Sequence, residues 1–135
     1  MSLRDDLAGV LARDSRFSIQ AYVFVFESLE FTKKRKLRAG VRGRKRPKAS
    51  RHVSGRELCE GVREFALNQF GLLALTVLSQ WGIHSTSNLG DIVYNLIASG
   101  DLEKTPTDSR VDFNDVYNFQ DAFRRDFVVP LDEVA

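Results

Sequence analysis

Cysteine is nearly absent. One thiol, Cys59, among 135 residues forms no internal disulfide, and with two histidines beside it there is no Cys-cluster zinc site or iron–sulfur centre. The start, Met-Ser-Leu-Arg-Asp-Asp, lacks the apolar core of a secretory signal. A bilayer-length apolar run is also lacking. The longest uncharged stretch, Phe65 to Gly90, is interrupted by Asn68, Gln69, Gln80, His84, Ser85, Thr86, Ser87 and Asn88. Its most apolar part, Phe70 to Leu78, is about half of what a membrane helix needs. These absences point to the cytoplasm. The phosphate-loop pattern G-x-x-x-x-G-K-[ST] does not occur either, and no internal repeat is visible.

What is present suits one packed domain. The chain is 43% hydrophobic and 28% charged, and it carries ten Phe, three Tyr and one Trp as bulky core material. Its charge is unevenly placed. Residues 33–51, KKRKLRAGVRGRKRPKASR, hold 11 of the 20 basic residues and none of the 18 acidic ones. The rest of the chain is left with nine basic residues against 18 acidic, a net of −9, although the whole carries +2. Eleven like charges repel one another, so 33–51 reads as a mobile basic loop on an acidic domain. Lys33, Lys34, Arg35, Lys36, Arg38, Arg42, Arg44, Lys45, Arg46, Lys48 and Arg51 are the candidate contacts to phosphate backbone, in RNA, DNA or a ribonucleoprotein. No aromatic residue is interleaved among them, so base stacking is not the expected mode. The competing reading is a protein-interaction adaptor whose solvated basic loop is incidental.

The apolar spacing predicts helices. One covers 3–14. The next covers 18–36 and begins at Ser18, with Ile19, Tyr22, Val23, Phe26 and Leu29 as its stripe, although Tyr22 to Phe26 alone also suits a strand. Ser54 and Glu57 form a capping box before a stripe of Leu58, Val62, Phe65 and Ala66. Residues 70–81 are apolar nearly all round and read as the central buried helix, stopped by Gly82 with Ile83 folding back. A helix over 87–99 follows, opened by Ser85 or Thr86 and stopped by Gly100. Residues 102–104 and 110–113 then read as two short strands of a hairpin, and Asn118 caps a last helix over 119–127. The expected fold is mostly α: a compact helical domain with one small β-hairpin, winged-helix-like in its C-terminal half. In that arrangement Ser87, Asn88, Asp91, Tyr94 and Asn95 form the outward face of the second helix. That face carries no Arg or Lys to read guanine.

Catalytic constellations are thin. Cys59 sits two positions from Glu57 and next to Glu60, and reads as a small buried filler. His52 belongs to the end of the basic loop and His84 to the turn after Gly82, so no base is spaced for a nucleophile. The expectation is a non-enzymatic binding module with no cofactor and no metal.

The strings RHVSGRELCEGVREFALNQFG (51–71), TVLSQWGI (76–83) and GDIVYNLIASGDLEKTPTDSRVDF (90–113) resemble a family of small bacterial proteins, chiefly from planctomycetes and verrucomicrobia. Tyr22 to Glu27 and Tyr117-Asn118-Phe119 resemble it too, so the likeness runs from about residue 17 to 127. It implies no activity and brings no catalytic residues. The basic segment 33–51 is richer in Lys and Arg than that family's usual connector.

Overall fold

Side-chain caps and glycines set where the helices of this chain start and stop. The computed structural model describes residues 9–39, 53–103 and 109–123. Its helices are α1 (9–13), α2 (Ile19–Ala39), α3 (Gly55–Phe70), α4 (Ala74–Gln80), α5 (Thr86–Ala98) and α6 (119–123). At α3 the capping box is complete: Glu57 N–H donates to Ser54 Oγ at 3.1 Å, and Ser54 N–H donates to Glu57 Oε1 at 2.9 Å. Ser85 Oγ accepts from Asn88 N–H at the start of α5, and Asn118 Oδ1 accepts from Asp121 N–H at the start of α6. Gly82 (φ +94°) and Gly100 (φ +88°) end α4 and α5. Beyond each, the next amide reaches back to the same helix, Ile83 to Leu78 O and Asp101 to Leu96 O, both at 2.9 Å. This closing loop satisfies carbonyls that the helix end leaves open.

Tyr22 to Phe26 is helical. The buried face of α2 is turned away from the stripe expected for it. Ala21, Tyr22, Val25, Ser28 and Thr32 are buried, whereas Ile19 is 41% exposed. Small polar residues on this face let α2 approach α3 closely, with Thr32 lying against Gly61. The Thr32 hydroxyl is satisfied inside its own helix by Ser28 O at 2.7 Å. The core between the helices is made of Phe17, Tyr22, Leu58, Val62, Leu78, Ile83, Leu89, Ile92 and Leu96. Each such side chain stabilises the fold by about 1.5–3 kcal/mol through burial.

Residues 70–81 are not one buried helix. Phe70 closes α3, Gly71–Leu73 form a 3₁₀ turn, and α4 is short. Gly71, at φ +54°, breaks the run and swings Leu72 and Leu73 out to 69% and 62% exposure, and of α4 only Ala74 and Leu78 are buried. The apolar run exceeds what the core can take up, and Phe70 and Trp81 instead pack beside Phe24 at 5.7 and 5.5 Å between ring centroids.

The hairpin is also corrected: among the described residues there is no strand. Residues 104–108 lie outside the described residues, and Arg110–Phe113 is a 3₁₀ turn. A strand would send Arg110 and Phe113 to opposite faces, whereas the 3₁₀ turn brings positions i and i+3 to the same side. Both then reach α5, where Gly90 makes room: a Cβ there would stand 2.8 Å from Phe113 Cβ and from Arg110 Cζ. The described residues therefore contain no wing, and what remains of the winged-helix outline is the α4–α5 pair.

Candidate functional site

The basic segment begins as helix: the helix expected over 18–36 runs on to Ala39, so 33–39 is no part of a loop. Lys33 to Arg38 continue α2, whose last residue is Ala39. Lys, Arg, Leu and Ala are good helix formers, and cations near a helix C-terminus are favoured by the peptide dipoles. Like-charge repulsion is offset by carboxylates. Lys33 Nζ lies 3.7 Å from Glu30, Arg35 pairs with Glu64 of α3, and Lys36 Nζ donates to Glu57 Oε1 at 2.9 Å. The capping carboxylate of Glu57 thus serves two partners, its own helix start and α2. The Ser54 amide and Lys36 hold it below the ordinary glutamate range against the opposing effect of its burial. Lys34 and Arg38 are exposed and make no ion pair among the described residues. Of the remaining candidate contacts, Arg42, Arg44, Lys45, Arg46, Lys48 and Arg51 lie outside the described residues, as does His52.

The face expected to point outward from the second helix is instead tied down. Asp91 receives Arg110 Nη2 at 2.5 Å and Arg16 Nη1 at 3.1 Å. Asn95 Nδ2 donates to Asp14 Oδ2 at 2.9 Å and to the Tyr22 hydroxyl at 3.1 Å. Arg110 also donates to Ser87 O at 2.6 Å, and Asn88 Oδ1 accepts from the His84 amide. Ser87, Asn88, Asp91, Tyr94 and Asn95 are all half-buried. Arg16, whose guanidinium also stacks 4.8 Å over the Phe17 ring, holds the Asp14 carboxyl well below the usual carboxylate range, with Asn95 assisting. None of Asp14, Arg16 and Arg110 stands out in the sequence. Their partners on α5 are 81, 75 and 19 positions away, beyond any local spacing.

Cys59 is fully buried, and burial, with the neighbouring Glu60 charge adding to it, pushes its thiol up to about 12. Its carbonyl accepts from the Tyr117 hydroxyl at 2.6 Å, a tether between α3 and the segment before α6. The thiol is expected to stay unmodified by Ellman's reagent at pH 8 in the folded protein and to react at once in 6 M guanidinium. Rapid labelling without denaturant would show that α3 opens readily. His84 is exposed in its turn, with Nδ1 3.4 Å from Ser79 Oγ. Among the described residues no three His, Cys, Asp or Glu side chains converge as a metal site, and no helix is long and apolar enough to cross a membrane.

The described residues also leave concavities. A groove of about 650 Å³ runs between α2, the start of α3, α5 and the 3₁₀ turn Arg110–Phe113. No family model, curated protein or solved structure matches this chain.

Proposed function

We propose that the protein is a non-enzymatic binding module that engages polyanions, RNA or DNA, through the basic run that begins on α2. One observation carries this reading. Arg35 and Lys36 are anchored on α3 carboxylates while Lys34 and Arg38, on the same helix end, face solvent. A fixed base therefore leads into six further cations, Arg42, Arg44, Lys45, Arg46, Lys48 and Arg51, with no acidic residue among them. Each cation placed on a phosphate releases counterions, so affinity is independent of sequence and falls with salt. Membership in the planctomycete and verrucomicrobial family that the chain resembles is part of the same proposal and adds no activity to it.

Fluorescence anisotropy with labelled RNA and duplex DNA across a salt series tests the reading. With about five phosphates engaged on duplex DNA, log K falls against log salt with a slope near −4.5. Replacing Arg42, Arg44, Lys45 and Arg46 by Ala should flatten that slope by about 0.9 for each phosphate no longer engaged and weaken all sequences alike. Changes at Asn88 or Tyr94 should do little, since both are engaged in the fold. Absence of binding at low salt removes the proposal.

A further inference from the structure

Arg35 belongs by position to the exposed basic edge of α2, yet its charge is taken up inside the molecule. Helix positions three or four apart are surface neighbours, with Cβ atoms about 5–6 Å from each other. Arg38 therefore stands beside both Lys34 and Arg35, and the three share one edge. Lys34 and Arg38 make no ion pair among the described residues, whereas Arg35 reaches across to Glu64 of α3. The neighbouring tie from Lys36 to Glu57 is of another kind. Glu57 is also held by the Ser54 amide at the start of α3, and the Lys36 side chain is only 20% exposed, so that tie is part of the fold. The Arg35 and Glu64 side chains are 49% and 47% exposed, and Glu64 has no other partner among the described residues. This pair can open without loosening anything else.

We propose that Glu64 is an internal competitor that withholds Arg35 from a bound polyanion. The inference rests on the polyanion reading and concerns the control of that site. A carboxylate offers the guanidinium fork two anionic oxygens, as a phosphate does, so the two compete for the same donors. While Arg35 stays on Glu64, the edge of α2 presents two cations to a phosphate chain and not three. A cationic group of a partner that settles on Glu64 releases Arg35 and strengthens polyanion binding, and by linkage the polyanion strengthens that contact by the same factor.

The test is fluorescence anisotropy of labelled duplex DNA with the full chain across a salt series. Glu64→Gln is expected to tighten binding about three- to fivefold at low salt, the range of an exposed ion pair. The slope of log K against log salt should steepen by about 0.9, as one more phosphate is engaged. Glu60→Gln is the control. Glu60 is exposed one turn earlier on α3 and makes no ion pair among the described residues, so its loss removes the same charge and frees no cation. Its slope should match that of the unaltered chain. Glu64→Gln combined with Arg35→Gln should lose the added slope, and Glu64→Gln alone should leave the melting curve in place. Equal gains from Glu64→Gln and Glu60→Gln with an unchanged slope would overturn the inference while the polyanion reading stands. So would a steeper slope that survives Arg35→Gln. If the unaltered chain binds no duplex at low salt, the polyanion reading fails and this inference falls with it.

Discussion

Gly82→Ala is expected to lower stability by about 3 kcal/mol or more, read as the urea midpoint of the helical circular-dichroism signal. Two penalties add at this position. The backbone sits at φ +94°, where a side chain is strained. An added Cβ would also fall on the carbonyl oxygen of Arg16 and stand 3.1 Å from its carbonyl carbon. Main chain cannot step aside as a flexible side chain can, and this stretch is held from both ends. Ser18 N–H donates to Trp81 O at 3.1 Å, and the Arg16 side chain is fastened to Asp14 and Asp91. Gly100 is the internal control. It has nearly the same φ, +88°, yet nothing lies within 4 Å of its would-be Cβ. Gly100→Ala should cost only the conformational part, about 1 kcal/mol. Asn, which tolerates the left-handed region, should be nearly neutral at 100 and damaging at 82. Equal losses at the two glycines would show that the Arg16 contact has no role.

Gly61→Ala is the second large effect. In an exposed helix this change adds about 1 kcal/mol of stability through propensity. Here the sign reverses, because the new methyl would collide with Thr32 Oγ1 and lie 2.9 Å from Thr32 Cβ. The hydroxyl can rotate only by giving up its bond to Ser28 O, and Cβ cannot move without shifting α2. A net loss of about 1–3 kcal/mol is expected. Thr32→Ala in the same chain should recover much of it, and a double-mutant cycle should return a coupling of about 1 kcal/mol or more. Additive losses would mean that the helices do not touch at this point.

Local signals were legible in the sequence, and the structure follows them. Ser54 with Glu57, Ser85, Gly82 with Ile83, and Asn118 each act within five residues, so propensity and capping chemistry suffice to place them. The packing faces of α3 and α5 were legible as well, since Leu58, Val62 and Ala66, and Leu89, Ile92 and Leu96, are buried as their helical spacing predicts; that of α2 was not. Ser28 and Thr32 look like wet-face residues, and only the close approach of Gly61 explains why they are inside. The run 70–81 misled because apolar residues are counted by hydropathy, whereas burial depends on how much core surface is left to cover. The Arg110–Phe113 segment has strand-like alternation, and its 3₁₀ geometry depends on Gly90 and Asp91, which are distant in sequence. The basic segment was visible by composition. That Lys33 to Lys36 are helical was legible in the spacing over 18–36, whereas their pairing with carboxylates on α3 was not. The groove draws on α2, the start of α3, α5 and the 3₁₀ turn at once, so no stretch of sequence announces it.

The ties from Asp14 and Arg16 to α5 bear on the order in which the chain assembles. They join residues 75 or more positions apart, and closing a loop of that size costs entropy before any contact repays it. Val10 and Phe17, in the same segment as Asp14 and Arg16, are buried in the core and Ser18 N–H donates to Trp81 O, so 9–18 is fastened to the helical body by packing as well as by these ties. Its backbone amides are expected to exchange hydrogen for deuterium in step with those of α5, and early exchange confined to 9–18 would show that it opens as a unit of its own.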